Sequence, residues 1–288
     1  MDQPRLNHVQ CLNPQGLHRM AYWEWGAADN PRVLVCVHGL TRQGRDFDRL
    51  AQAMCGHYRV VCPDVVGRGE SDWLPDPMGY AVPSYLADMV TLLARLNAQT
   101  VHWVGTSMGG LIGMGLSALP RSPIARLGLN DVGPRIEFAA LERIGRFVGA
   151  PVTWDSFEEA AQAVRLVSLG FGPLTTEEWH ALTRPHLRQN EQGRWMVRYD
   201  PGIALPFRSL TPERAAAGEA LSWQMWDRIT VPTLVLRGAQ SDLLSAQTAT
   251  EMGARGPRAR VVSFEGVGHA PSLVPADQVA VVGDFLLA

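Results

Sequence analysis

Short apolar runs, rich in β-branched residues, alternate along the chain with longer stretches in which apolar residues recur at helical spacing. The short runs predict strands over Ala21–Trp25, Val33–His38, Arg59–Pro63, Val101–Gly105, Leu127–Asp131, Thr233–Arg237 and Arg260–Phe264. The longer stretches predict helices over Asp46–Met54, Pro83–Leu96, Ser107–Leu119, Ala246–Met252 and Pro275–Leu287. Pro83 and Pro275 suit the first turn of a helix, where the missing N–H costs nothing. This alternation is typical of an α/β fold with a mostly parallel sheet covered by helices.

The alternation stops between Pro134 and Trp226. That stretch has helical patterns and no convincing strand, and the helices are predicted over Glu137–Val148, Ser156–Leu169 and Thr176–Arg188. It also holds Trp154, Trp179, Trp195, Trp223 and Trp226, five of the nine tryptophans. These rings either line a pocket or pack the insertion onto the core, and packing is the commoner role. We therefore expect a core made of residues 1–133 and 227–288, with residues 134–226 as a helical cap over a pocket at the carboxyl edge of the sheet.

The amino-acid composition argues against nucleic acid and membranes as binding partners. The 288 residues are 46% hydrophobic and 19% charged, as in a globular protein. The chain has 26 basic and 28 acidic residues, so the formal charge is 26 − 28 = −2. Because the basic residues are scattered and phosphate binding needs them clustered, we expect no nucleic-acid partner. The first residues lack the apolar core of a secretory signal, and Val101–Pro120 is too polar and glycine-rich for a membrane span. We expect a cytoplasmic protein with no membrane partner; the oligomeric state stays open.

The cysteines point to no metal site and no disulfide framework. Cys11, Cys36, Cys55 and Cys62 form no C-x-x-C pair and no metal-like spacing with histidine. Cys36 and Cys62 lie inside apolar runs, where a small buried thiol is the ordinary interpretation. The expectation is four free thiols in a reducing compartment.

One segment carries a nucleophile motif. Gly105-Thr106-Ser107-Met108-Gly109 matches G-x-S-x-G, with an apolar strand before it and a helical pattern after it. In such a strand–turn–helix the serine sits on a strained turn, and small residues two positions away avoid a clash with it. The pattern alone is only a hypothesis, but its context predicts Ser107 as a nucleophile.

A nucleophilic serine needs a base and a group that orients the base. Two later strands supply candidates in the loops that follow them, because ligands bind at the carboxyl ends of parallel strands. His269 follows the strand ending at Phe264, and Asp242 follows the strand ending at Arg237. Asp131 also ends a strand and is the alternative acid. We predict Asp242 as the acid and Asp131 as a structural turn residue or pocket-wall group.

The oxyanion of an acyl-transfer reaction needs backbone donors. His38-Gly39-Leu40 follows an apolar strand, and Gly39 allows a close approach to substrate. We expect the N–H groups of Leu40 and Met108 to form the oxyanion hole. His38 is expected to be a hydrogen-bonded scaffold rather than the base.

Taken together, these segments resemble the α/β-hydrolase superfamily along the whole chain. The matching segments are His38-Gly39, Pro63-Asp64-Val65-Val66-Gly67-Arg68-Gly69-Glu70-Ser71-Asp72, Gly105-Thr106-Ser107-Met108-Gly109-Gly110, Gly238-Ala239-Gln240-Ser241-Asp242 and Gly268-His269-Ala270. The resemblance implies an eight-stranded, mostly parallel sheet with a helical cap after the sixth strand. It also implies Ser107, His269 and Asp242 as nucleophile, base and acid, with Gly67, Gly69 and Ser71 in a structural turn.

The resemblance implies a serine hydrolase that needs no metal or organic cofactor. A carboxylesterase or lactonase acting on small apolar or aromatic acyl esters through an acyl-enzyme fits best, with a small-molecule ester as its partner. A C–C bond hydrolase or enol-lactonase of aromatic degradation is an alternative, although Thr106 and Ala270 stand where C–C hydrolases of this family usually carry Asn and Trp. A triad-bearing sensor of small ligands is an alternative of another class. Arg42 and Arg45 are candidates for meeting an acidic substrate, although solvated arginines are commoner at such positions.

Overall fold

The computed structural model of the chain describes residues 3–288. Its strands are β1 (Arg5–Asn13), β2 (Gly16–Trp25), β3 (Val33–Val37), β4 (Arg59–Pro63), β5 (Val101–Thr106), β6 (Ile124–Asn130), β7 (Leu187–Gln189), β8 (Trp195–Val197), β9 (Thr233–Gly238) and β10 (Arg260–Phe264). Its helices are α1 (Asp48–Met54), α2 (Val82–Leu96), α3 (Met108–Ser117), α4 (Phe138–Phe147), α5 (Phe157–Val167), α6 (Thr176–Thr183), α7 (Ala204–Arg208), α8 (Pro212–Arg228), α9 (Ala246–Ala254) and α10 (Ala276–Leu287).

Eight strands form one sheet in the order β1-β2-β4-β3-β5-β6-β9-β10. The pairs β1/β2 and β2/β4 are antiparallel, and all the others are parallel. The predicted eight-stranded, mostly parallel sheet is therefore confirmed. Because β3, β5, β6 and β9 are parallel, their carboxyl ends meet at one edge, and the loops leaving that edge lie side by side.

The central strands are buried on both faces. All five residues of β3 are buried. Val33, Val35 and Val37 belong to one apolar cluster, whereas Leu34 and Cys36 belong to another on the opposite face. Successive side chains of a strand point to opposite faces, so a continuous apolar run is what a strand between two helical layers requires.

Residues between β6 and β9 form the insertion, and here the structure differs from the predicted pattern. The insertion contains α4 to α8 and also a small antiparallel sheet of β7 and β8, which the helical interpretation missed. The helix predicted to reach Arg188 ends at Thr183, because Pro185 cannot continue it. Pro83 lies in the first turn of α2 as predicted, whereas Pro275 is the N-cap residue that precedes the first turn of α10.

Most of the insertion's tryptophans pack. Trp223 and Trp226 join the main apolar cluster, and Trp179 belongs to a small cluster with Leu182. Trp195 packs on Phe157, with their ring centroids 5.4 Å apart. Trp154 alone of the five borders the cavity over Ser107.

No helix in residues 3–288 is long and apolar enough to cross a membrane.

Candidate active site

Ser107 occupies the turn between β5 and α3 in a strained conformation, with φ 52° and ψ −116°. The turn is tight on both sides. A Cβ at Gly105 would lie 2.2 Å from the Gly109 oxygen, and a Cβ at Gly109 would lie 2.0 Å from the Val37 oxygen. The two glycines of G-x-S-x-G are therefore required because backbone packs directly on backbone, and the serine is raised above the carboxyl edge of the sheet.

His269 connects this serine to a buried carboxylate. Its Nε2 lies 3.1 Å from the Ser107 Oγ, and its Nδ1 lies 2.7 Å from Asp131 Oδ2. The side chain of Asp131 is fully buried, while that of His269 is 15% exposed. With Nδ1–H donating to the carboxylate, Nε2 is free to accept the serine proton.

The carboxylate is held by the end of the neighbouring strand. Asp131 directly follows β6, and its backbone N–H donates to Leu236 O at 2.8 Å. Its Oδ1 accepts from the Gly238 N–H at 2.9 Å, and its Oδ2 accepts from the Ser241 Oγ at 2.5 Å. These donors fix the orientation of the carboxylate toward His269.

The prediction that Asp242 orients the histidine is wrong. Asp242 is about half exposed and makes a two-fold ion pair with Arg143 of α4, at 2.7 and 2.9 Å. The loop after β9 turns Ser241 inward to Asp131, and the next residue, Asp242, then faces the insertion. A signal was present in the sequence: Asp131 comes directly after its strand, whereas Asp242 lies four residues beyond Gly238.

The two amides predicted for the oxyanion hole flank the serine. Leu40 borders the cavity, and Met108 is the first residue of α3. Within residues 3–288 neither N–H has a hydrogen-bond acceptor. Gly39 brings the first loop close, because a Cβ there would lie only 3.6 Å from the Ser107 Cβ. The placement suits the predicted role, to which the N-terminal end of α3 adds a favourable dipole.

His38 is a scaffold residue, as expected. It is fully buried, its Nδ1 donates to the Gly39 O at 2.7 Å, and its Nε2 accepts from the Val65 N–H at 2.9 Å. Burial lowers the pKa of its imidazole to about 3, so the ring is neutral at physiological pH. Both nitrogens are used in fixing the loop.

Arg68 contacts both residues predicted for the oxyanion hole, and sequence reasoning missed it. It is fully buried, and its Nε donates to the Leu40 O at 2.7 Å. Its Nη2 lies 3.5 Å from Met108 Sδ, and its Nη1 donates to the Tyr85 OH at 3.0 Å. One guanidinium therefore bridges the two residues predicted to supply the oxyanion donors. Its place between Gly67 and Gly69, in the turn that looked purely structural, was the available signal.

Asp64 holds that turn in place. It accepts from the backbone N–H groups of Gly44 at 2.7 Å and Glu70 at 2.9 Å. Gly69 has φ 54°, and a Cβ there would lie 2.2 Å from Asp64 Oδ2. Burial raises the pKa of the Asp64 carboxyl to about 6.

A cavity of about 440 Å³ opens over Ser107 and His269, within the usual range for small-molecule sites. The sheet's loops form its floor, and the insertion supplies apolar side chains, among them Ile144, Phe147, Val148, Trp154, Val164 and Val167. Arg42 also borders the cavity, but its charge is paired with Asp46 at 2.7 and 2.8 Å. Arg45 is paired with Asp48 at 2.6 Å. The cavity wall on the side of the insertion is therefore largely apolar, and both of these arginines are already paired with carboxylates.

A separate buried group contains possible metal ligands. Single ligand atoms of Cys11, His18 and Asp88 lie within 4.8 Å of one another. They are partly paired with one another, since His18 Nε2 lies 3.1 and 3.0 Å from the two Asp88 oxygens, whereas His18 Nδ1 is buried with no partner. Burial raises the pKa of the Cys11 thiol to about 12, which favours the protonated thiol over a metal-binding thiolate. None of the three borders the cavity.

Comparison with known proteins identifies the fold family. Residues 34–282 match the sequence model described as the Alpha/beta hydrolase family. The chain belongs to the α/β-hydrolase family. A crystal structure of an alpha/beta hydrolase from Novosphingobium aromaticivorans superposes with a TM-score of 0.87 at 35% identity, covering 100% of this chain and 99% of that one.

Two curated relatives are hydrolases of esters. A 3-hydroxybutyrate-oligomer hydrolase from Cupriavidus necator is 55% identical over 285 residues, covering 98% of this chain and 97% of that protein. A pimeloyl-[acyl-carrier protein] methyl ester esterase from Xanthomonas campestris is 26% identical over 263 residues, covering 86% of this chain and 92% of that protein. These relationships confirm the predicted family and the prediction of a hydrolase that acts on ester bonds.

Proposed function

We propose that this α/β-hydrolase cleaves the ester bonds of short 3-hydroxybutyrate oligomers and of similar small 3-hydroxyacyl esters. The observation that carries the proposal is the hydrogen-bonded series Ser107, His269 and Asp131 at the floor of a largely apolar cavity. The substrate class is supported by the 55% identity to a 3-hydroxybutyrate-oligomer hydrolase along almost the whole of both chains.

In the proposed mechanism, His269 Nε2 removes the proton from Ser107 Oγ as the oxygen attacks the ester carbonyl. The negative oxygen of the tetrahedral intermediate accepts from the N–H groups of Leu40 and Met108. His269 then protonates the departing alcohol, and Asp131 stabilises the imidazolium in between. Water, activated by the same histidine, hydrolyses the acyl-enzyme. Each step uses groups of this chain and water.

We further propose that residues 134–226 act as the cap of this site. Helices α4 and α5 contribute Ile144, Phe147 and Val164 to the cavity wall, and Val197 of β8 also borders it. These apolar groups exclude water from the bound acyl chain, which strengthens the electrostatic contacts of the oxyanion. Substrate range would then depend on the insertion rather than on the sheet.

The test is hydrolysis of the 3-hydroxybutyrate dimer and trimer, followed by chromatography of the released monomer, with wild type and Ser107→Ala. p-Nitrophenyl butyrate serves as a general ester. We expect wild type to cleave the oligomers and the ester, and the variant to cleave neither.

Cleavage of the ester without cleavage of the oligomers would refute the substrate class and leave an esterase. No cleavage of any ester would favour the C–C hydrolase or ligand-sensor alternatives. Full activity of Ser107→Ala would refute the proposed nucleophile.

A further inference from the structure

His186 borders the catalytic cavity from the insertion. It ends the 3-10 turn Arg184–His186, directly before β7. Its imidazole stacks on the ring of Tyr199, with centroids 6.3 Å apart and an angle of 27° between the planes. Its carbonyl oxygen accepts from the Arg198 N–H at 2.9 Å. Backbone and ring are thus both held, and the side chain is only 4% exposed.

The imidazole of His186 lacks hydrogen-bond partners. Its Nδ1 is buried with none, and in the described part of the chain neither ring nitrogen joins a side-chain hydrogen bond. His38, buried nearby, uses both of its nitrogens. Buried polar atoms are nearly always paired because leaving one unpaired is costly, so an unpaired ring on a cavity wall points to a partner that arrives with the ligand.

Other large polar side chains of the cavity already have partners. Arg42 is bound to Asp46 and also donates to the Leu182 O at 3.2 Å. The Tyr199 OH accepts from the Gly149 N–H at 3.3 Å, which leaves it only a proton to donate. In the reaction proposed above, His269 serves the serine. His186 is therefore free to contact a polar group of the substrate.

We propose that His186 is a specificity-determining residue that hydrogen-bonds the hydroxyl on the third carbon of the acyl group, selecting 3-hydroxyacyl esters over unsubstituted acyl esters. This inference rests on the proposed function, because it names the group that recognises the substrate class of that same site.

The charge state of the ring fits a neutral hydroxyl. Burial, together with the neighbouring Arg42 and His38, lowers the pKa of His186 well below 6.5. At neutral pH the ring therefore carries one N–H donor and one bare nitrogen acceptor. A hydroxyl both donates and accepts, so it can pair with Nε2, the nitrogen that is not fully buried, in either tautomer of the ring.

The test compares two esters that differ only in this hydroxyl: p-nitrophenyl 3-hydroxybutyrate and p-nitrophenyl butyrate. We expect wild type to prefer the hydroxylated ester in kcat/KM by about tenfold. His186→Phe keeps the ring shape and removes both nitrogens, so its preference should fall to about one. His186→Gln restores a donor and an acceptor and should recover part of the preference.

The matched control is His180→Phe. His180 belongs to α6 of the same insertion and packs edge-on against Phe157, but it does not border the cavity. The control should keep the wild-type preference. Thermal melting checks that each variant is folded, and His186→Leu replaces the phenylalanine variant if that one is not.

The outcomes separate the two proposals. Failure of wild type to cleave 3-hydroxybutyrate oligomers refutes the proposed function. Equal use of the two esters by wild type, or an unchanged preference in folded His186→Phe, overturns the role of His186 and leaves the esterase intact. Equal loss of both activities in a folded variant also overturns it, since that pattern indicates a general rather than a hydroxyl-specific role.

Discussion

Replacing Asp131 by Asn is the sharpest test of the catalytic geometry. The asparagine amide can occupy the same place, but it now presents N–H to His269 Nδ1. The ring is then held with its proton on Nε2, facing Ser107, where it cannot accept the serine proton. A comparable change in a Ser-His-Asp protease lowers kcat by about 10⁴. We expect a loss of about 10³–10⁴ here, which corresponds to about 4–5 kcal/mol of activation free energy.

The matched control is Asp242→Asn. Asp242 is half exposed and is paired with Arg143, and such surface pairs contribute about 0–1 kcal/mol. We expect its kcat to stay within about threefold of wild type, since that energy concerns stability and not the reacting atoms. Steady-state hydrolysis of p-nitrophenyl butyrate measures both variants, and circular dichroism confirms their fold. A larger loss for Asp242→Asn than for Asp131→Asn would refute the assignment.

Four further changes test other parts of the structure. Gly109→Ala should prevent soluble folding or lower the melting temperature strongly, because its Cβ would lie 2.0 Å from a backbone oxygen; wild-type stability would contradict this contact. Arg68→Lys should lower kcat about tenfold with little change in KM, since the lysine cannot bridge both sides of the oxyanion site; kinetics identical to wild type would exclude the positioning role. Asp64 has a pKa of about 6 in the folded protein against an ordinary value of 3.8, so it binds its proton more tightly when folded, and its contribution to stability falls as the pH rises from about 4 to about 6. In denaturant melts, the free energy of unfolding of Asp64→Asn should therefore rise relative to that of wild type over this pH range. A difference that stays constant with pH would disprove this. Asp88→Ala leaves His18 without its buried partner and should cost about 3 kcal/mol in urea unfolding, whereas a loss below about 0.5 kcal/mol would show that the pair contributes little.

Much of the sheet was readable from the sequence. The apolar run of β3 is buried on both faces. A continuous apolar run is enough to predict such a strand, because it requires only that helices cover both faces of the sheet. β1 was missed although Val9 and Cys11 are buried while Gln10 and Leu12 are exposed. In the described sheet it pairs only with β2, and its inward side chains join the main apolar cluster. β7 and β8 were missed because three-residue strands are too short to show a period.

Some residues of the candidate site could likewise be predicted from the sequence, and others could not. Ser107 and His269 were predicted because a motif and a strand-end position mark them locally, and the structure brings their side chains together. The acid was marked less clearly, since Asp131 and Asp242 both follow strands and differ only in how closely they do so. The choice between them depends on which loop turns a carboxylate toward His269.

The amino-acid sequence was enough to predict the layers of this protein, the tight glycine turn under Ser107 and the edge of the sheet that carries the candidate site. These follow from side-chain periodicity and from the size of single residues, which are local properties. The packing of distant segments was needed to show that Asp131 contacts the histidine, that Arg68 bridges Leu40 and Met108, and that His186 borders the cavity with its Nδ1 unpaired. Each of these depends on where segments far apart in the chain meet, and the energy of those contacts exists only once the sheet and the insertion have packed.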